Sequence, residues 1–365
     1  MRQKDISEAK IDIAKPHTVQ KFGLVEEYVG AWAQKLLQYE GCDGIIFIDC
    51  MCNSGVYQDI SGNQVFGTPI RVSRLLAETM LKYPNKKAEL YFNDLSLAKI
   101  EMLKEYLPPN TASLVIHTSA MDGNTLLRKF PINPKHPYLL IYDPYQATID
   151  WDALTPFLNA WGEVIINHMV SDVVRGLPKA KKQTVKVKYE ETYQSDIDEL
   201  LELGSDRKAY EQKIKDVISK QTASDRKNYI ASAPFFNRTN GQVYSLIHCT
   251  GHIEGFKLFK KTSWKTFGGK SSAKITHEVE NQLMFDLGCS FEPTTATDEF
   301  CYTICDIAKY LCGEFKGKKD IPFDDVYGSL EEHPIFPSDG FRNDIKQELK
   351  TYCHVTITKS TMSFP

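Results

Sequence analysis

A short apolar segment that ends at a carboxylate constrains this chain more than any other feature. Residues 45–48 are Ile, Ile, Phe and Ile, and Asp49 follows them. A run of this length, rich in β-branched residues, is typical of a strand buried on both faces of a parallel sheet. The polar loop after it contains Ser54 and Gly55, and a strand with such a loop opens many nucleotide-binding α/β folds. Because only one glycine is present where a phosphate-binding loop would have three, the loop favours a nucleoside without a phosphate.

Four further apolar segments follow at intervals that leave room for helices between them. They cover residues 88–92, 113–117, 138–142 and 163–168. An amphipathic helix is predicted over residues 15–38, before the first strand, because its apolar residues recur every three or four positions. Regular alternation of strands and helices predicts a doubly wound α/β fold with a parallel sheet.

Acidic residues follow several of these strands, where a doubly wound sheet places its ligand crevice. Asp94 can accept hydrogen bonds from ribose hydroxyls, or it can cap the next helix, and the two roles are compatible. Asp122 lies where an adenine would bind. Asp143, Pro144 and Tyr145 follow the fourth strand, where the carboxylate can accept from an exocyclic amine and the ring can stack on a base. The alternative for Asp143 and Pro144 is an ordinary turn.

Length and charge set limits on the organisation of the chain and on its partners. At 365 residues it is expected to form two domains, or one domain with an insertion. Its 44 basic and 47 acidic residues leave a net charge of −3, so any site for a polyanion must be a local patch.

The cysteine pattern and the hydropathy indicate a cytoplasmic protein. Nine cysteines without regular spacing are typical of reduced thiols, and pairs such as Cys50 and Cys52 are expected to be buried rather than to bind a metal. No apolar run approaches the roughly 18 residues of a membrane span.

The alternation of strands and helices stops after His168. A helical insertion is predicted over about residues 176–228, within a first domain that covers residues 1–265. It begins with a run of lysines that could bind a nucleic-acid backbone. These are Lys179, Lys181, Lys182, Lys186 and Lys188. The alternative is a solvated face with Glu190 and Glu191 as ion-pair partners.

The last part of the chain, residues 273–365, has a different pattern. Two helices, a turn, a third helix and an alternating segment occur in the order of a winged helix-turn-helix domain. Its recognition helix is predicted over residues 339–352, with Arg342, Lys346 and Lys350 near one face. A domain of this α+β type binds either a nucleic acid or a protein.

The ordered set of these residues resembles the three-Cys-motif partner protein family, TcmP. The resemblance rests on Lys15 and His17 at the start of the first helix, Tyr28 and Trp32 further along it, the segments 48–49 and 54–57, residues 67–69, Asp94, residues 143–145, and His252. It implies a class I methyltransferase-like, Rossmann-like fold that uses S-adenosylmethionine, with a winged-helix domain attached. It also implies a neighbouring partner protein that carries a three-cysteine motif of radical-enzyme type.

The resemblance suggests a role for each candidate residue. Asp49 would contact the methionine end of S-adenosylmethionine, Asp94 its ribose and Asp122 its adenine. Ser54 and Gly55 would form the cofactor loop. His17 lies in a cationic cluster with Lys15 and Lys21, which is either a cap over the cofactor or a solvated helix end.

The chain departs from the expected pattern at two places. Residues 50–53 are Cys, Met, Cys and Asn, where the family tends to have a small, glycine-containing run. Residues 143–146 are Asp, Pro, Tyr and Gln, whereas DNA amino-methyltransferases have Asp-Pro-Pro-Tyr.

Two functions therefore remain open. The first is a methyltransferase that acts on an amine of a nucleic acid or nucleotide. The second is a non-catalytic subunit of the same fold that recruits the three-cysteine partner.

Overall fold

Seven strands form the central sheet in the computed structural model, which describes residues 11–133, 135–144, 146–274 and 301–365. They are β2 (Gly44–Asp49), β5 (Lys87–Asn93), β6 (Leu114–Ser119), β7 (Tyr138–Tyr142), β8 (Gly162–His168), β9 (Tyr229–Phe236) and β10 (Gln242–Thr250). Their order is β6-β5-β2-β7-β8-β10-β9. The first five are mutually parallel, and β10 is antiparallel to both of its neighbours. The doubly wound sheet predicted from the sequence is confirmed.

Strand β2 lies at the centre of this sheet. All six of its residues are buried, as its apolar sequence predicted. It pairs with β5 on one side and with β7 on the other, so the chain winds outward from β2 in both directions. The carboxyl ends of β2 and β7 therefore border the topological switch point, where doubly wound sheets bind their ligands.

Among the described residues, ten α-helices of the α/β unit cover the sheet or extend from it. They are α1 (Pro16–Gln38), α2 (Thr68–Met80), α3 (Leu97–Lys104), α4 (Gly123–Lys129), α5 (Trp151–Leu158), α6 (Val170–Gly176), α7 (Gln183–Tyr193), α8 (Ile197–Glu202), α9 (Arg207–Gln221) and α10 (Ile253–Thr266). Helices α1, α2 and α10 contribute to one apolar core, and α5, α7 and α9 contribute to the other. The sheet is thus covered on both faces.

The polar segment after β8 folds into helices α6 to α9. Tyr193, Tyr210 and Ile214 bury their side chains in the second core, and the Tyr193 hydroxyl lies 2.8 Å from His168 Nε2. Strand β9, which follows these helices, was not predicted. Its Pro234 is unfavourable in a central strand, but β9 lies at the edge of the sheet, where proline is tolerated.

A second, small sheet lies beside the central one and was also not predicted. Its strands are β1 (Asp12–Ile13), β3 (Val56–Gln58) and β4 (Gln64–Phe66), in the order β1-β3-β4. These strands have two or three residues each, which is too short for periodicity to show.

Residues 301–365 form an α+β unit. Its elements are α11 (Ile304–Glu314), β11 (Ile321–Pro322), α12 (Phe323–Gly328), α13 (Arg342–Cys353), β12 (Thr356–Ile357) and β13 (Thr361–Ser363), and the strands pair antiparallel in the order β11-β13-β12.

Helix α10 joins this α+β unit to the rest of the chain. Trp264 of α10 belongs to the apolar core of the α+β unit, and its Nε1 donates to the carbonyl of Ile335 at 3.0 Å. The buried ammonium of Lys260 donates to the carbonyls of Leu330, Glu331 and His333. The unit is therefore held on α10 by apolar packing and by the hydrogen bonds of a buried lysine, whose pKa burial lowers to about 7.

Within the described ranges, no helix has the length and apolar character needed to cross a membrane.

Candidate functional site

A cavity of about 930 Å³ lies at the topological switch point of the sheet. The carboxyl ends of β2, β5, β7 and β8 border it, and the beginning of α1 and residues of β10 complete its wall. Its volume is within the range of small-molecule sites, and its position is where a doubly wound sheet places its ligand.

The cavity brings together most of the residues that the sequence indicated. They are His17, Asp49, Asp94, Asp122, Asp143 and Pro144. Tyr145 lies outside the described residues. Ser54 and Gly55 are absent from the described residues that line the cavity.

Asp49 ends β2 at the floor of the cavity. Only 3% of it is exposed, and its Oδ1 has no hydrogen-bond partner within the described parts of the chain. Burial, reinforced by the nearby charge of Asp143, raises the pKa of Asp49 to about 8, although a hydrogen bond from the Met51 amide opposes the shift. Asp49 is therefore largely protonated at neutral pH, and a cationic ligand would favour its ionised form.

Asp143 is held by two side chains that are remote in sequence. Its Oδ2 lies 2.7 Å from the ammonium of Lys21, and its Oδ1 accepts from Asn167 Nδ2 at 2.6 Å. The Lys21 side chain is only 13% exposed, and its ammonium lies 5.4 Å from the centre of the Tyr244 ring. A carboxylate, a partly buried ammonium and an aromatic face therefore meet at the carboxyl end of β7.

Asn167, near the end of β8, is a site residue that sequence reasoning missed. It is buried and lines the cavity. Because its Nδ2 donates to Asp143, its Oδ1 faces away from that carboxylate, and this oxygen has no donor within the described chain. Its position in the sequence could have indicated this role. Asn167 lies next to the end of an apolar strand, at the edge of the sheet where Asp49 and Asp143 also lie.

The loop after β2 is held by Asp94. Asp94 Oδ2 accepts from the backbone amide of Asn53 at 3.1 Å, and its Oδ1 accepts from the amide of Ser96 at 2.8 Å. Ser96, not Asp94, is the N-cap of α3. Asn53 has a positive φ of 59°, and its Nδ2 donates to Asp12 at 3.1 Å. Asp94 thus orients the loop while its carboxylate borders the cavity.

Ser54 and Gly55 stabilise this loop without lining the cavity. The Ser54 hydroxyl is buried and donates to the carbonyl of Val56. Gly55 has a φ of 68°, and a Cβ there would lie 2.9 Å from Cγ of Pro69. Both residues serve the turn into β3 and the packing against α2.

Asn93 links the β2 loop to the segment after β6. Its fully buried amide donates to the carbonyls of Cys50 and Met121, both at 2.9 Å, and its Oδ1 accepts from the Ser119 hydroxyl. The same segment leads to Asp122, which caps α4 by accepting from the amide of Thr125 at 2.8 Å. Asn93 therefore fixes the two sides of the cavity relative to each other.

Cationic residues occupy the side of the cavity formed by α1. Lys15, His17 and Lys21 all line it. Burial, followed by the charges of the two lysines, lowers the pKa of His17. Arg175 of α6 lines another part of the wall and leads into the lysine run that begins at Lys179. Within the described residues, no group of three or more His, Cys, Asp or Glu residues could hold a metal ion.

No protein-family model and no curated protein matches the sequence. Several solved structures share a weak overall likeness with this chain. A Legionella pneumophila protein of the DUF519 family is 12% identical with a TM-score of 0.42, and the match covers 70% of this chain and 93% of that one. A putative class I S-adenosylmethionine-dependent methyltransferase from Listeria monocytogenes is 10% identical with a TM-score of 0.30, covering 64% and 61%. Loganic acid methyltransferase with SAH is 10% identical with a TM-score of 0.32, covering 74% and 86%.

All three TM-scores are below 0.5, so these likenesses are weak. The large, mostly parallel sheet with its one antiparallel strand is itself the doubly wound, Rossmann-like arrangement that was predicted from the sequence. At such identities and TM-scores, the activity has to be argued from the residues of the cavity.

Proposed function

We propose that this chain binds S-adenosylmethionine in the switch-point cavity and transfers its methyl group to an amine. Two buried acceptor oxygens, Asp49 Oδ1 and Asn167 Oδ1, carry the proposal. Both residues line the same cavity, and neither atom has a donor within the described chain. Leaving a buried acceptor unpaired costs about 1–3 kcal/mol. Ligand N–H groups at these two positions would remove that cost.

The cavity residues fit the proposed cofactor. The Asp49 carboxylate would accept from the ammonium at its methionine end, Asp94 would accept from the ribose hydroxyls, and Asp122 would lie near the adenine. Asp94 is held in place by two backbone amides. The cofactor would supply an electrophilic methyl group on its sulfur. Transfer to the amine nitrogen would break the sulfur–methyl bond, leave S-adenosylhomocysteine and release one amine proton to solvent.

The substrate amine would bind between Asn167 and Asp143. Asn167 Oδ1 would accept one of its N–H groups, and the Asp143 carboxylate, held by Lys21, would accept another. Pro144 stiffens the backbone after Asp143. Tyr145, by its place in the sequence, is proposed to stack on the substrate ring. Because the methyl group is already activated, the main task of these residues is to hold the nitrogen in line with it.

We propose a nucleic acid as the substrate class because of the lysine run. Its five lysines form no ion pair with a described residue. Glu190, an expected ion-pair partner, accepts instead from the backbone amide of Ile197 at 3.2 Å. The run follows Arg175, which lines the cavity, so a phosphate backbone bound there would pass close to the site.

The C-terminal α+β unit has the order of elements of a winged helix, and we propose that it binds a protein. Arg342 lies over the ring of Tyr327, with 4.7 Å from Cζ to the ring centre, and its Nη2 lies 3.5 Å from Asp339. Lys346 lies over the ring of Phe323. Arg342 and Lys346, two of the three basic residues expected on the recognition helix, thus contact side chains within the unit. This disfavours a role for the helix in binding phosphates.

The engagement of Asp143 favours a second candidate function, that of a non-catalytic binding subunit. Both of its oxygens already have partners in this chain, Lys21 and Asn167. A substrate amine would have to share or displace them. In this alternative the chain would recruit the three-cysteine partner that the resemblance to TcmP implies.

Calorimetric titration of S-adenosylhomocysteine separates the two functions. We expect binding by the wild type and at least tenfold weaker binding by Asp49→Asn. Ser54→Ala, which alters the same loop behind the cavity, is the matched control and should bind as the wild type does. Transfer of labelled methyl groups to total cellular RNA and DNA then tests for activity. If the wild type does not bind the cofactor product, the binding-subunit function is favoured.

A further inference from the structure

A second cavity, of about 780 Å³, lies at the opposite end of the sheet from the switch point. Its wall contains Pro137 and Gly162, where β7 and β8 begin, and Thr250, where the antiparallel β10 ends. Helices α1 and α10 close its sides. The proposed methyl transfer has no use for this end of the sheet, so the cavity requires its own explanation.

Aromatic side chains form much of the wall. Trp32 of α1 is buried, whereas Trp161 is 42% exposed and Tyr39 is 61% exposed. Leu36 and Leu258 add aliphatic surface. Aromatic surface that lines a concave site favours a ligand with an apolar, planar part.

A carboxylate lies within this aromatic wall. Glu163 Oε2 accepts from the Tyr28 hydroxyl and from His248 Nε2, which lies 2.7 Å away. Tyr28 and His248 are fully buried, so they fix the carboxylate from inside the protein. Glu163 Oε1 has no hydrogen-bond partner within the described residues. A Cβ at position 255 would overlap this oxygen, so Gly255 leaves Oε1 the space to reach the wall.

An unpaired cation lies in the same wall. Arg226 lines the cavity, and its guanidinium forms no ion pair with a described residue. It lies against Gly251, where a Cβ would be 2.9 Å from Nη2. The other charges of the wall are satisfied, since Lys35 pairs with Glu254 at 2.7 Å. Within the described chain, Glu163 Oε1 and the Arg226 guanidinium are therefore left without partners. They lie beside Gly255 and Gly251, which are four residues apart in the sequence.

We propose that this cavity binds a small aromatic zwitterion of the α-amino acid type. Its ammonium would donate to Glu163 Oε1, its carboxylate would accept from Arg226, and its ring would lie against Trp32 and Trp161. A ligand with a single charge would satisfy only one of the two unpaired groups and would be repelled by the other. A zwitterion satisfies both, because each of its charges meets the opposite charge of the wall.

Calorimetry with three indole probes tests this proposal on the full chain. L-tryptophan carries both charges, tryptamine lacks the carboxylate, and indole-3-propionate lacks the ammonium. We expect one L-tryptophan per chain, with tryptamine and indole-3-propionate at least tenfold weaker. L-tyrosine and L-phenylalanine extend the panel to the other aromatic rings.

Variants place the binding in this cavity. Arg226→Met and Trp161→Ala alter half-buried or exposed side chains and should each weaken L-tryptophan binding at least tenfold. Arg238→Met, an exposed arginine in the β9–β10 turn, is the matched control and should have no effect. Glu163→Gln should weaken tryptamine as well as L-tryptophan. The proposal is overturned if no aromatic amino acid binds, if the three indole probes bind equally, or if Arg226→Met binds as the wild type does.

Discussion

The substitution Asp49→Asn tests the electrostatics of the switch-point cavity most directly. The amide has nearly the shape of the carboxyl group and cannot ionise. In the wild type, burial and the charge of Asp143 raise the pKa of Asp49 to about 8, from an ordinary value of 3.8. The folded chain therefore holds this proton between pH 4 and 8, whereas the unfolded chain loses it near pH 4.

The sign and size of the effect follow from proton linkage. A raised pKa in the folded state gives stability that is fully present below about pH 4 and is lost as the pH rises towards 8. The slope is up to about 1.4 kcal/mol per pH unit, so Asp49 contributes a loss of about 2.7 kcal/mol between pH 5 and 7. The amide of the Asp49→Asn variant would contribute none.

Urea unfolding at pH 5, 6 and 7 measures this difference. We expect the wild type to lose stability relative to Asp49→Asn over this range, by about the amount given above. Asp43→Asn, which changes an exposed carboxylate just before β2, is the matched control and should leave the wild-type slope unchanged. Parallel pH profiles for the wild type and Asp49→Asn would refute the assignment of a buried, protonated carboxyl to this position.

The proton on Asp49 also makes ligand binding depend on pH. If the ionised Asp49 binds the ammonium of S-adenosylmethionine, binding must release the proton that the free protein holds at neutral pH. The affinity should then rise by up to tenfold per pH unit between pH 6 and 8. Titrations at pH 6.5 in two buffers of different ionisation enthalpy count the released proton. No proton release with tight binding would exclude this contact.

Three further variants test other parts of the structure. Asn167→Ala should lower kcat by about 10²–10³ and leave cofactor affinity unchanged, because it removes the free acceptor of the proposed amine site; unchanged turnover would exclude that role. The double substitution Lys181→Glu and Lys182→Glu should weaken binding to duplex nucleic acid and reduce the slope of log K against log salt by about 2; an unchanged slope would place the contact elsewhere. Lys260→Met removes a donor from three carbonyls, of which that of Leu330 still accepts from the His333 amide, and should destabilise the packing of residues 301–365 on α10 by about 1–3 kcal/mol, as measured by urea unfolding and proteolysis.

The acidic residues of the cavity could be found in the sequence because of local signals. Each follows a recognisable strand, and parallel strands bring their carboxyl ends to one edge of a sheet. Asp49, Asp94, Asp122 and Asp143 therefore share a cavity, as expected. Gly55 was expected to form part of the cofactor loop. Its positive φ instead allows the turn into β3, and its lack of a Cβ allows the close packing against α2.

The partners of these acids could not be found in the same way. Lys21 and Asp143 are 122 positions apart, and Asn167 looked like one residue of the fifth strand. The second cavity depends in the same way on long-range contacts, since Tyr28 and His248 are separated by 220 positions. Residue pairs at such separations leave no periodic pattern in a single sequence.

The sequence by itself determined the alternation of the five parallel strands with helices, the buried character of β2 and the edge of the sheet at which the acidic residues lie. These features follow from hydrophobic periodicity and from the geometry of parallel strands, which act over a few residues at a time. Only the tertiary structure decided which polar atoms are left without partners and which carboxyl group keeps its proton. Both depend on burial and on neighbours from distant segments, because desolvation and hydrogen bonding are properties of the packed interior.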